Sequence, residues 1–292
     1  MNKIQVSVIV PFYYGNKYIE NIYETIRKNV EVLKNHKYNN ILELIIVNDS
    51  PNEKINLPSQ LMNYKIQFIE HKKNFGIQQA RVTGLSHASG DYIIFLDQDD
   101  ELSEDCIYKE LEQISTADVL VCNAWLENSA GEKTLLYRTK GMLKNALQLE
   151  PYLIGHNRIV SPGQCMIKRV SIPSAWITNI MDVNGSDDLF LWILLFAKGG
   201  IFKGCSEAVY IHKYTGENLS AESEKMTIST ISMIKYLRKI DYVLPSLVDE
   251  LEKDRMFSLE WNNYSVLQKI QKIFLNGDIL VKRTRWKIRS LI

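Results

Sequence analysis

The sequence is short of most features that would mark a protein at a glance. Its 35 Lys and Arg residues face 34 acids, a net charge of +1, so global electrostatics give no case for nucleic acid or a polyanionic partner. Cys106, Cys122, Cys165 and Cys205 are widely spaced with no C-x-x-C pair, which excludes a dense disulfide framework and points to free thiols in a reducing compartment. No apolar run reaches the roughly 18 residues of a spanning helix. Met1-Asn2-Lys3-Ile4 enters directly into a short apolar run with no signal-peptide pattern, so the expected location is cytoplasmic, with any membrane contact made from the surface. Neither G-x-G-x-x-G nor G-x-x-x-x-G-K-[ST] occurs, which counts against a dinucleotide oxidoreductase and a P-loop NTPase.

What is present is a globular composition, 46% hydrophobic and 24% charged over 292 residues. That is enough for one large α/β domain with an appendage, or for two domains. Val6-Ser7-Val8-Ile9-Val10 reads as a buried strand stopped by Pro11. Ile19, Ile22, Tyr23, Ile26, Val30 and Leu33 follow at helical spacing, and Leu42 to Val47 forms a second strand closing at Asn48-Asp49-Ser50-Pro51. A third strand, Ile66 to Ile69, leads through Asn74-Phe75-Gly76 into a helix carrying Ala80, Arg81, Gly84 and Leu85. Strand, helix, strand is the parallel α/β signal.

The fourth strand is the most informative. Tyr92-Ile93-Ile94-Phe95-Leu96 ends in Asp97-Gln98-Asp99-Asp100, three carboxylates within four positions. On an extended backbone Asp97 and Asp99 point to one side and can share a cation, with Gln98 facing away. An acidic surface turn is the ordinary alternative. A calcium loop is disfavoured because Leu102 and Tyr108 occupy the positions of its turn glycine and bidentate Glu. Ligands bind outside the carboxyl ends of parallel strands, so the exits at Pro11, Asp49, His71 and Asp97 should share one site. There Tyr13 and Tyr14 can stack on a base, Asp49 can accept from a base N–H, Arg81 can approach a diphosphate, and Gly76 lets backbone come close to phosphate at a helix N-terminus.

Ser7 to Tyr13, Ile45 to Ser50, Asn74-Phe75-Gly76 with Ala80-Arg81 and Gly84, and Gly90 to Asp100 together resemble a family 2 glycosyltransferase of the GT-A fold over roughly the first hundred residues. The resemblance implies a Rossmann-like, mostly parallel sheet flanked by helices, with a C-terminal helical extension. It implies inverting transfer of sugar from a nucleotide diphosphate donor, with Mg²⁺ or Mn²⁺ at Asp99 and Asp97. Donor contacts would fall to Pro11, Phe12, Tyr13, Asp49, Gly76, Arg81, Asp97 and Gln98. Asp49 stands where relatives hold uracil, which favours a UDP-sugar. Tyr14 replaces the family's usual Asn, and Asn48-Asp49-Ser50-Pro51 replaces its paired acids and Gly-Ser.

Later stretches extend the resemblance. Ser161 to Arg169 is similar to the family's strand beneath the acceptor pocket, making Gly163 and Gln164 candidate acceptor contacts. Asp187-Asp188, ahead of Leu189, Trp192, Ile193 and Phe196, matches a Glu-Asp signature whose second acid is the catalytic base. That assigns Asp188 as base and Asp187 as an acceptor contact, while the plain alternative is a helix cap with acids complementing the dipole. Tyr210 to Ser220 resembles the segment that closes over the diphosphate, with Lys213 as phosphate partner. Thr215 stands where many relatives have a metal-binding His, and His212 reads as structural or acceptor-side.

These readings divide the chain into a nucleotide-sugar half, 1–100, an acceptor half, 101–220, and helices over 221–292. The last twelve residues carry five basic side chains and no acid. With Trp286, Ile288, Leu291 and Ile292 they suit an anionic bilayer, and the alternative is a solvated basic helix end or a subunit contact such as a homodimer. The expected partners are a nucleotide-sugar donor and a glycan or lipid-linked acceptor, with no nucleic acid. Two rivals stand: a non-catalytic nucleotide-sugar-binding scaffold, and a sugar nucleotidyltransferase. The latter would need a Gly-rich, Arg-containing loop after the first strand, and Pro11-Phe12-Tyr13-Tyr14-Gly15 is not one.

Overall fold

A computed structural model of the chain describes residues 5–55, 64–154, 157–216, 223–261 and 264–291. The chain divides into two compact units, each assembled from three stretches: Met1–Leu136, Ile159–Ile172 and Gly200–Gly216 in the first, Tyr137–Arg158, Pro173–Gly199 and Glu217–Ile292 in the second. The contiguous partition at 100 and 220 follows expected function, whereas this division follows packing.

The first unit is built on β1 (Val6–Phe12), α1 (Ile19–Asn35), β2 (Leu42–Asn48), β3 (Lys65–Glu70), α2 (Ile77–His87), β4 (Tyr92–Phe95), β5 (Glu101–Leu102), α3 (Cys106–Ile114), β6 (Val119–Glu127), β7 (Lys133–Leu135), β8 (Cys165–Lys168) and β9 (Phe202–Lys213). Among the described residues one sheet runs β3-β2-β1-β4-β8-β6-β9-β5, with β7 beside β6. The β3-β2-β1-β4 half is parallel, and β8 joins it antiparallel to both β4 and β6. This mixed α/β sheet flanked by helices is the architecture the sequence predicts.

Alternation places the core. Val6, Val8, Val10 and Phe12 of β1 pack with Leu44 and Ile46 of β2 under Ile22 and Ile26 of α1 and Ile107 of α3. On the other face α2 lies so close that a Cβ on Gly84 would stand 2.3 Å from Ile9 Cγ2. The sequence predicts that Pro11 ends β1, yet the strand runs on to pair Pro11 with Val47 and Phe12 with Asn48. The ladder with β4 ends at Ile9 and Phe95. Ile9 already accepts from Leu96 on that side, so the missing N–H of Pro11 faces a position beyond any paired neighbour. At the opposite end of the sheet Glu43 is fully buried. Although burial opposes its charge, hydrogen bonds from Lys65, Ser7 and Ser89 hold its carboxyl down to about 2.

The second unit comprises α4 (Lys140–Ala146), α5 (Glu150–Leu153), α6 (Ser174–Thr178), α7 (Asp187–Ala197), α8 (Ser223–Leu237), α9 (Pro245–Trp261), α10 (Val266–Leu275) and α11 (Gly277–Arg289). Residues Leu189 to Leu195 of α7 are all buried, so this helix is the centre of the unit rather than a one-faced surface helix. Trp286 corrects its sequence assignment. It is only 4% exposed and turns inward with Ile279, while Ser290 beside it is held by Thr139 and Asn145. Ile292 lies outside the described residues, as do Glu217 to Ser220 of the expected closing segment. No helix among the described residues is long and apolar enough to cross a membrane.

Candidate functional site

The acidic stretch leaves β4 as a turn. Asp100 N–H donates to Asp97 O at 3.2 Å, so strand alternation no longer decides which carboxylates face together, and each acid acquires its own environment.

Asp97 is anchored. Arg81 of α2, 3% exposed, approaches its Oδ1 at 2.5 Å, and the Ser161 hydroxyl donates to Oδ2 at 2.8 Å. Gln98 turns back to β1 and pairs with Tyr13 twice, accepting from its N–H at 2.8 Å and donating to its carbonyl at 3.0 Å. Asp100 is buried, accepting from the Tyr210 phenol and from Lys213 N–H at 2.8 Å, with His212 Nδ1 at 3.0 Å. The hydroxyl oxygens of Tyr210 and Ser161 lie 2.7 Å apart, linking Asp100 to Asp97. Burial opposes a charge on His212, yet the hydrogen bond and charge of Asp100, with Asp97 and Asp99 nearby, carry its imidazole above the ordinary value.

Asp99 is the half-buried acid between these two. Burial, then the charges of Asp100 and Asp97, push its carboxyl up to about 7. Such a surplus of confined carboxylate charge is relieved by a cation, and hard oxygen donors suit Mg²⁺ or Mn²⁺. No three His, Cys, Asp or Glu side chains among the described residues form a complete cage, which fits an ion held by one or two carboxylates and completed by phosphate oxygens. The buried Nε2 of His212 has no hydrogen-bond partner among the described residues. The donor set therefore fits the metal.

Asp49 does something its sequence position did not reveal. Oδ1 accepts from Phe75 N–H and the His71 imidazole, and Oδ2 from Gly76 N–H, each at 2.8 Å. The carboxylate thus shapes the Asn74–Gly76 loop, where Gly76 holds φ +89°, a left-handed conformation open to glycine. Beside it Tyr13 and Tyr14 are half-exposed, their rings edge to face at 4.7 Å.

Several predicted contacts lie buried or already paired. Phe12 is a core side chain with no exposed surface, and Pro11 is buried beside it. Gln164 is 0% exposed, its amide accepting from Val160 N–H and donating to Cys122 O. Gly163 is buried too, with a Cβ there 2.5 Å from the Tyr210 ring. Lys213 is paired with Glu101. His212 sets its Nδ1 against Asp100, the last acid of the turn. Sequence reasoning missed Ser161 and Tyr210, although Tyr210 and His212, two apart on β9, share one side by alternation.

In the second unit Asp188, the second residue of α7, is half-buried, with Oδ2 accepting from Asn157 Nδ2 at 2.7 Å and Oδ1 from Leu189 N–H at 2.6 Å. Asp187 is buried, and its carbonyl accepts from Trp176 Nε1 at 2.8 Å.

Comparison with known proteins gives a consistent result. The sequence pattern described as Glycosyl transferase family 2 matches residues 7–172. The chain is 24% identical over 241 residues to the putative teichuronic acid biosynthesis glycosyltransferase TuaG of Bacillus subtilis, covering 82% of this chain and 90% of that protein. Two other relatives are longer proteins, of which the chain spans 18% and 42%. The fold is similar to S. aureus TarS 1-349 in complex with UDP-GlcNAc, at TM-score 0.62 and 17% identity over 96% of this chain and 81% of that one. It is also similar to the mannosyltransferase PcManGT of Pyrobaculum calidifontis in complex with GDP-Man and Mn²⁺, at TM-score 0.55 and 13% identity over 99% and 85% of the two chains.

Proposed function

The chain belongs to glycosyl transferase family 2, and on that footing we propose that it transfers a sugar, with inversion, from a UDP-sugar to a hydroxyl of a glycan or lipid-linked acceptor in surface polysaccharide or glycoconjugate synthesis. The observation that carries the reading is the placement, beyond the carboxyl ends of the parallel strands, of the Asp97–Asp100 turn, Arg81 and the Asn74–Gly76 loop. Similarity to TuaG supports a surface polymer, and similarity to TarS bound to UDP-GlcNAc supports uridine.

In this reading Tyr13 and Tyr14 stack on the base, while Asp49 keeps acceptor capacity on Oδ2 for a base N–H beyond the single bond from Gly76. The open Gly76 backbone admits the diphosphate, and Arg81 sets the angle of Asp97. Asp99, with Asp97, would hold Mg²⁺ or Mn²⁺. When bound, that ion supplies positive charge against the leaving diphosphate. Lys213 reaches phosphate only by exchanging Glu101 for it. Asp188 takes the proton of the acceptor hydroxyl as its oxygen bonds to the anomeric carbon and the bond to the nucleoside diphosphate breaks. Asn157 fixes the Asp188 carboxylate for that role, and the proposed location is the cytoplasm.

The test is a thermal-shift panel of UDP, GDP, CDP and dTDP sugars with and without Mn²⁺, run beside Asp99→Asn. We expect stabilisation by UDP-sugars alone, dependent on metal and lost in the variant. Equal response to every nucleotide, or a metal response unchanged in Asp99→Asn, overturns the donor assignment.

A further inference from the structure

Helices α10 and α11 present apolar side chains outward that a soluble helix pair has no reason to expose. Leu267 and Phe274, seven residues apart and so on one line of α10, are 81% and 82% exposed, with Leu275 at 65% beside them. Val281 and Ile288 repeat the spacing on α11, followed by Leu291 at 73% exposed. The inward face of α11 is separately satisfied by Ile279 and Trp286.

Charge identifies the occupant. Residues 264–291 hold seven basic side chains and one acid, Asp278. Asp278, Glu250 and Asp254 neutralise Lys253, Lys282 and Arg283 within the unit. Arg285, Lys287 and Arg289 are exposed and have no carboxylate partner among the described residues, and Arg285 and Arg289 border Val281 and Ile288 in a shallow groove. Lys269 adds a further cation on α10. Apolar side chains flanked by uncompensated cations are what an interfacial helix offers to an anionic surface with an apolar interior.

We propose that the outward faces of α10 and α11 dock this protein on an anionic lipid bilayer, with Leu267, Phe274, Val281, Ile288 and Leu291 entering the acyl boundary and Lys269, Arg285, Lys287 and Arg289 meeting the headgroups. Docking is independent of the transfer reaction and is read without donor or acceptor.

The experiment is co-sedimentation of the full chain with vesicles containing phosphatidylglycerol, against vesicles of phosphatidylcholine alone, at low and high salt. Binding to the anionic vesicles, weakened by salt, is expected. Arg285→Gln/Lys287→Gln/Arg289→Gln should weaken it by roughly a hundredfold, at about fivefold per charge. Leu267→Asp/Phe274→Asp should weaken it by at least about tenfold. All five positions are exposed, so both variants should melt with the wild type. Absence of binding, equal binding to both vesicle types, or variants that bind like the wild type overturns the proposal. So does a dimer in solution that Leu267→Asp/Phe274→Asp dissolves while vesicles capture nothing, which assigns the face to a second copy.

Discussion

Arg81 and Asp97 stand 2.5 Å apart, the guanidinium on the helix after β3 and the carboxylate on the turn after β4. This pair fixes the first acid of the turn to the sheet-facing side of α2. Arg81→Met should lower stability by ~1–3 kcal/mol, because Asp97 loses a charged partner in a site where little water replaces it. Donor binding should weaken with it. Chemical denaturation and titration with a UDP-sugar check the two effects separately.

Asp188→Asn keeps the size and the Asn157 contact but removes the base. Turnover should fall by ~10²-fold or more with donor affinity nearly unchanged. Single-turnover transfer alongside donor titration measures both, and a variant retaining full turnover removes Asp188 from the mechanism.

Gly163→Ala places a Cβ 2.5 Å from the Tyr210 ring and 3.1 Å from Phe95 O. The ring must shift, loosening its bond to Asp100. A stability loss of ~1–3 kcal/mol is expected from overpacking, together with weaker metal-dependent donor binding. Urea unfolding and the thermal-shift response report them.

Tyr14 holds φ +46°, a left-handed conformation that Asn adopts more readily. Tyr14→Asn should raise stability by ~0.5–1 kcal/mol while weakening donor binding through loss of a stacking ring. A melting curve and a donor titration should move in opposite directions.

Glu110 on α3 is fully buried beside the thiols of Cys106 and Cys122, and burial outweighs those poor donors, raising its carboxyl from 4.5 to about 8. Folded protein thus keeps a proton that the unfolded chain releases. Its contribution is complete below pH 4.5 and lost as pH rises through about 8. The wild type should lose melting temperature from pH 5 to pH 9, and Glu110→Gln should lose less across the same range.

How much of this was legible beforehand depends on the kind of information. Helices and parallel strands of the first hundred residues were visible because hydrophobic period and turn residues are local properties. Asp97, Asp99 and Arg81 were visible as chemistry on strand exits and the following helix. The burial of Gln164 and Phe12 was not legible, because a motif position does not report burial. Asp49 gave no sign that it ties the Asn74–Gly76 loop, since its donors lie 22 to 27 residues away. Trp286 was misread for a related reason: a basic, aromatic stretch does not say which side of its helix faces the unit.

The acid turn shows the division most clearly. The amino-acid sequence by itself determined that three carboxylates end a buried strand, since that follows from apolar run and composition alone. Only the tertiary structure decided their separate roles. Arg81 and Ser161 fix Asp97, Tyr210 and His212 occupy Asp100, and Asp99 is left with a carboxyl at about 7. The reason is physical: a carboxylate's character is set by burial and by charges and donors within a few ångströms, and here those partners arrive from α2, from the turn before β8 and from β9, up to 113 residues along the chain.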